Sequence, residues 1–190
     1  MPLPRRKTVI TSLLVLIAAV ALWSLYQWYQ ARYIRPFSET TVLFDAAGLR
    51  LPAGLAGPGA IRVVHLWDPP CPCNVGNQQH LAELVQRFAG QGVSFHVWQK
   101  PGSRGQLPDT LKALQPLAEL PGAEHLPASP AVAIWDRDGK LAYVGPYSEG
   151  ATCTSGNSFI EPVLEALLAG RAVHSTGSLA VGCYCAWQEE

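Results

Sequence analysis

Cys71 and Cys73 flank Pro72 in the run Trp67-Asp68-Pro69-Pro70-Cys71-Pro72-Cys73-Asn74, and a second pair at the same spacing, Cys183 and Cys185, lies near the C-terminus in Gly182-Cys183-Tyr184-Cys185. Thiols so placed offer disulfide exchange, ligation of a soft metal, or structural cross-linking. A fifth cysteine, Cys153, stands in the polar stretch Gly150 to Asn157. An odd number of cysteines leaves at least one thiol outside any set of intramolecular pairs.

The first pair sits where a strand gives way to a helix. Ile61 to Trp67 is β-branched and mostly apolar, as in an interior strand. Leu81, Leu84, Val85 and Phe88 then fall on one helical face. A helix N-terminus presents unpaired N–H groups and a partial positive charge, which favour thiolate over thiol. Residues two apart in a helix point to nearly opposite sides, so a Cys71–Cys73 bond requires Cys71 and Pro72 to precede the helix proper. Pro70 and Pro72 favour that, because each biases its predecessor toward extended geometry.

Further elements are expected to frame this junction. Thr41 to Phe44 reads as a short strand, Asp45 to Gly48 as a turn with Leu49-Arg50-Leu51 returning, and Gly54 to Gly59 as a loop. Gly90-Gln91-Gly92 ends the first helix, and Val93 to Trp98 alternates as a second strand. Pro108-Asp109 is expected to open a helix carrying Leu111, Leu114, Leu117 and Leu120, kinked or broken at Pro116. Ser129 to Trp135 and Lys140 to Val144, joined by Asp136-Arg137-Asp138-Gly139, form a hairpin pattern. Ser158-Phe159-Ile160-Glu161 fits a capping box ahead of an apolar helix face ended by Gly170. The order is β-α-β-α-β-β-α, giving an α/β domain with a central mixed sheet flanked by helices.

The N-terminus reads as an anchor. Arg5, Arg6 and Lys7 precede an uncharged stretch from Val9 to Tyr26, long enough for a bilayer core that needs about 20 residues. Trp23, Tyr26, Trp28 and Tyr29 supply an interfacial aromatic belt. The basic cluster is expected to stay in the cytoplasm, placing the chain as a single-pass inner-membrane protein with its domain on the periplasmic or extracytoplasmic side. A cleaved signal peptide is the alternative, since Ala19-Val20-Ala21 has the small-x-small form; the apolar run continuing to Tyr26 argues against it. The expected division is residues 1–30 as stub and anchor, 31–170 as the domain and 171–190 as a cysteine-containing tail. The 14 basic and 14 acidic residues balance, which gives no basis for a nucleic-acid partner. Outside the cytoplasm, disulfides persist or are kept reduced only by a dedicated donor.

Trp67 four residues before Cys71, cysteines opening the first helix, and Ser129-Pro130 opening the hairpin strand together resemble the thioredoxin-like superfamily. That resemblance implies a thioredoxin-like fold over about residues 40 to 170, with Pro130 cis and lying against the active-site sulfurs. More narrowly, Cys71-Pro72-Cys73-Asn74, the helical His80 and the late Gly182-to-Cys185 segment resemble an uncharacterised family of bacterial membrane-anchored thioredoxin-like proteins. The departure from ordinary thioredoxins is the spacing, Cys-x-Cys where those have Cys-x-x-Cys.

Three readings of the cysteines stand side by side. In the first, Cys71 is an exposed nucleophile of lowered pKa, and Cys73 or a tail cysteine resolves the mixed disulfide with an exported thiol protein, a membrane or periplasmic donor supplying electrons. In the second, Cys71, Cys73, Cys183 and Cys185 bind zinc or copper(I). In the third, the two pairs cross-link tail to core as inert disulfides. Asp68 could relay a proton or cap the helix, and Trp67, Trp98 and Trp135 fill core volume near the site. His80 lies about 10 Å along the helix from Cys73, which argues against joint ligation, and packing is its expected role. His65 and His96 fit strand patterns as core histidines. Cys153 reads as a buried free thiol or as a third redox partner.

Overall fold

A computed structural model describes residues 5–36, 48–176 and 180–187. Its first element, α1 (Arg5–Tyr33), is a helix long and apolar enough to cross a membrane, with most of its described side chains exposed, which supports a membrane-associated topology. A short strand, β1 (Ile34–Pro36), follows directly. The strand and most of the turn expected over Thr41 to Gly48 lie outside the described residues. Leu49 to Leu51 is not a strand: both leucines are buried, and the Arg50 N–H donates to Pro121 O at 3.0 Å rather than to a ladder.

The sheet grows from β2 (Ile61–Trp67), buried along its whole length. Beside it lie β3 (Val93–Gln99), β6 (Ala131–Trp135) and β7 (Leu141–Gly145), with the two-residue strands β4 (Gln115–Pro116) and β8 (Ser175–Thr176) at the edges. The order is β4-β3-β2-β6-β7-β8. β2, β3 and β4 run parallel, β6 is antiparallel to both β2 and β7, and β8 is parallel to β7. The β6–β7 reversal is tight: Asp136 Oδ1 accepts from the N–H groups of Asp138 and Lys140 at 2.9 and 2.8 Å, and Gly139 takes the φ of +80° that the turn needs.

Helices α2 (Val75–Phe88) and α3 (Ile160–Leu168) pack on one face. Leu81, Leu84, Phe88, Ile160, Leu164 and Leu167 meet Val63, Phe95, Val97 and Ile134 there. Ser158 Oγ accepts from the N–H groups of Ile160 and Glu161 at 3.1 and 3.3 Å, so the serine half of the expected capping box forms. Glu161 turns away, to Arg87 Nη1 at 2.7 Å.

The opposite face corrects the expected second helix. Residues 108–120 form a single 3-10 turn, Asp109–Leu111, then β4. Pro108, Pro116 and Pro121 leave too short an uninterrupted span for a helix. Leu111 and Leu114 join the helix-covered core, whereas Leu117 and Leu120 turn to the other face, so the apparent stripe is divided across the sheet. That face, with Val64, Leu66, Trp98, Ala133 and Trp135, is covered by Leu49, Leu51, Leu126 and the tail residues Tyr184 and Trp187. Two small strand pairs hold the tail: β9 (Val181–Cys183) runs antiparallel to β1, and β10 (Cys185–Ala186) antiparallel to β5 (Ala128–Ser129). The result is a thioredoxin-like fold, a mixed sheet flanked by helices, preceded by the long apolar helix.

Candidate functional site: two disulfides between the first helix and the tail

Strand β2 ends at Trp67, and the next seven residues build the site. The Asp68 carbonyl accepts the Cys71 N–H at 3.0 Å and Asn74 Nδ2 at 2.8 Å, folding the proline-rich loop back on itself. Cys71 is extended, with φ −70° and ψ 117°; Pro72–Asn74 is a 3-10 turn, and α2 begins only at Val75. Cys71 therefore precedes the helix, as its flanking prolines require.

The two head sulfurs do not bond to each other. Cys71 is joined to Cys185 and Cys73 to Cys183, with Cα separations of 5.9 and 5.3 Å. Each forward step of two along the head meets a backward step of two along the tail, so the segments cross antiparallel. The Sγ atoms of Cys71, Cys73 and Cys185 all lie within 4.8 Å of one another. Gly182, just before Cys183, lies against Gly150 O and the Tyr184 hydroxyl; a Cβ there would sit 2.5 Å from each.

Burial divides the four cysteines. Cys71, Cys73 and Cys183 are 5%, 2% and 3% exposed, so the exposed nucleophile expected at Cys71 is covered in this oxidised form; Cys185 is half-buried. Ser129-Pro130 is cis, and Cys71 Sγ lies 3.7 Å from Ser129 O. Because β10 pairs Cys185 with Ser129, the tail is seated against the segment leading into Pro130. Trp187 continues that seating, stacked on Trp98 at 5.8 Å with Lys100 Nζ 5.6 Å from its ring. Lys100 also reaches Asp68 Oδ2 at 3.5 Å. The N-cap of the turn that begins α2 is Cys71, which makes no side-chain cap hydrogen bond. Asp68 Oδ1, Asn74 Oδ1 and Ser129 Oγ are buried without a hydrogen-bond partner among the described residues.

One contributor was not legible as such. Tyr29, at the end of α1, places its hydroxyl 3.3 Å from Cys183 Sγ; a disulfide sulfur carries no hydrogen, so the tyrosine donates. Tyr33 packs on the same sulfur cluster, and its carbonyl accepts the Tyr184 N–H at 2.9 Å. The signal was the i, i+4 spacing of Tyr29 and Tyr33, which places both on one face.

Several candidates stand elsewhere. His80 is buried with Nε2 2.9 Å from Ser158 Oγ, and its pKa is lowered by burial against the opposing pull of Glu161 and Glu83. His65 Nδ1 is 2.8 Å from the Tyr147 hydroxyl, and burial brings its pKa down to about 4. His96 Nε2 is 3.1 Å from Ser94 Oγ, its pKa lowered by burial and by Arg62. Cys153 is a free thiol, buried, its N–H donating to Gly76 O at 2.9 Å; burial pushes its pKa up to about 11. Burial thus disfavours the thiolate, the form in which a thiol reacts.

The chemistry this arrangement supports is thiol–disulfide chemistry. Among solved structures, a hypothetical protein, SMc02350, from Sinorhizobium meliloti 1021 is 18% identical, with 83% of this chain and 94% of that one covered at a TM-score of 0.51. An uncharacterized conserved protein from Geobacillus kaustophilus is 16% identical over 84% of this chain and 88% of that one, at a TM-score of 0.45. MTB dsbF, solved in mixed oxidized and reduced forms, is 19% identical over 58% of this chain and 82% of that one, at a TM-score of 0.42. At such identity the Sinorhizobium likeness is one of fold. No curated protein matches the sequence. The fold is thioredoxin-like, with cysteines at its strand-to-helix junction, and the match over residues 40–187 shows that the chain belongs to the family described as a domain of unknown function, DUF6436.

Proposed function

We propose that this protein exchanges disulfides with exported thiol proteins on the extracytoplasmic side of the membrane, Cys71 attacking and Cys73 resolving. The observation that carries the reading is the seating of Cys185: it is bonded to Cys71 from a strand paired with Ala128–Ser129 beside Pro130. A peptide cysteine held this way is a mixed disulfide in all but its covalent continuity with the rest of the chain. The basic residues ahead of α1 support the orientation. Electrons come from a membrane or periplasmic dithiol donor.

The test uses the full chain in native membranes. Cys73→Ala is expected to trap mixed disulfides between Cys71 and exported proteins, and Cys71→Ser to abolish both the adducts and reductase activity on a disulfide substrate. Unchanged trapping and activity in Cys71→Ser would remove Cys71 from the role.

A second reading rests on the three sulfurs within 4.8 Å of one another. Thiolates at about 2.3 Å from one ion lie within about 4.6 Å of each other, so the reduced site suits zinc or copper(I). Metal below one per chain in protein prepared under reducing conditions would exclude it.

A further inference from the structure

We propose that the tail cysteines work in the exchange: an outside dithiol enters at Cys185, Cys183 is the sulfur released, and the first reduction leaves Cys71 bonded to Cys73 with the tail a free dithiol. The proposal rests on the exchange reading above and deepens it.

Access sets the entry point. Cys71, Cys73 and Cys183 are buried, and Cys185 is half-buried, so an incoming thiolate meets Cys185 first. Attack there forms a bond between the partner sulfur and Cys185 Sγ and breaks Cys71–Cys185, leaving the electron pair on Cys71. That thiolate lies at the head of the turn leading into α2, where unpaired N–H groups favour negative charge.

Proximity sets the second step. Cys73 Sγ is within 4.8 Å of Cys71 Sγ. Attack by Cys71 on Cys73 forms Cys71–Cys73, breaks Cys73–Cys183 and expels Cys183 as thiolate. The Tyr29 hydroxyl, 3.3 Å from Cys183 Sγ, is placed to donate to the leaving sulfur. The partner's second thiolate then attacks its own sulfur in the mixed disulfide and releases Cys185. The balance closes. Two tail–head disulfides and a partner dithiol become Cys71–Cys73, a partner disulfide and two tail thiols, and two protons pass from partner to tail. The protein gains two electrons, and the tail is then held without covalent bonds, by its short strand pairings with β1 and β5 and the packing of Tyr184 and Trp187.

The experiment titrates the fully oxidised full chain, in detergent micelles, with less than one equivalent of dithiothreitol, followed by acid quenching, alkylation and peptide mass spectrometry. The expected half-reduced species carries label on both Cys183 and Cys185 and none on Cys71 or Cys73, a loss of protection confined to the tail. Label on one head cysteine and one tail cysteine, or passage straight to label on all four bridge cysteines, would overturn the proposal; Cys153, already free, takes label throughout. Partner trapping in membranes reads a different property. A tail-only pattern without trapped exported proteins would leave the relay standing and sink exchange with such partners; trapping with a head-plus-tail pattern would do the reverse.

Discussion

The two faces of the sheet are covered by different means. On one, α2 and α3 lay contiguous apolar stripes over Val63, Phe95 and Ile134, each helix satisfying its own backbone. On the other, Val64, Trp98 and Trp135 lie beneath loop residues and the tail side chains Tyr184 and Trp187, whose strands are two or three residues long. Pairings so short are marginal alone. The tail cover is instead fastened by Cys71–Cys185 and Cys73–Cys183, which close loops of 114 and 110 residues. One face is held by local structure and the other by cross-links, so the redox state of the site bears on only one of them.

The largest effect should come from removing both bridges. Closing a loop of about 100 residues contributes about 4.7 kcal/mol in the chain-entropy account, and the second bridge, closing only a small ring once the first exists, adds about 2 kcal/mol. Replacing all four bridge cysteines with Ala should therefore cost about 7 kcal/mol, and replacing either pair only about 2 kcal/mol. Urea unfolding of the full chain in micelles measures both; two equal, additive halves would break the picture of one shared loop. Leu164→Ala, on the helix-covered face, should cost about 3 kcal/mol for a fully buried leucine, equally in oxidised and reduced protein. A cost that appears in one redox state alone would mean the two faces are not independent.

The buried histidines sharpen the comparison by pH. His65 lies on the helix-covered side with Tyr147, and its folded pKa of about 4 is below the unfolded 6.5. Between those values the unfolded chain binds the extra proton, so the stability from a neutral His65 is full above pH 6.5 and is lost as pH falls toward 4. The loss is about 3 kcal/mol at 1.36 kcal/mol per pH unit. Unfolding curves across this range should flatten in His65→Gln, and an unchanged slope would reassign the effect. Smallest of all, Arg87→Ala removes half-exposed ion pairs with Glu161 and Glu165 at 2.7 Å and should shift stability by less than about 1 kcal/mol.

The helix-covered face was legible in the sequence because its periodicity is local: Leu81, Leu84 and Phe88 announce α2, and Ile160, Leu164 and Leu167 announce α3. The loop-covered face was not. Leu111, Leu114, Leu117 and Leu120 keep helical spacing while serving two different faces, and the chain between prolines crosses the sheet edge instead of coiling. At the site, the strand-to-helix junction and the prolines around Cys71 could be read from spacing. The pairing could not, because four cysteines allow three connectivities and only the antiparallel seating of β10 on β5 selects among them. Tyr29 passed as an interfacial aromatic because its contact with Cys183 spans 154 positions of sequence.

The most direct test of the account is a non-reducing peptide map of the oxidised full chain taken from membranes. The account predicts Cys71 linked to Cys185, Cys73 linked to Cys183 and Cys153 free. Cys71 linked to Cys73 with Cys183 linked to Cys185 would contradict it, since the tail would then have no covalent hold on the face it covers.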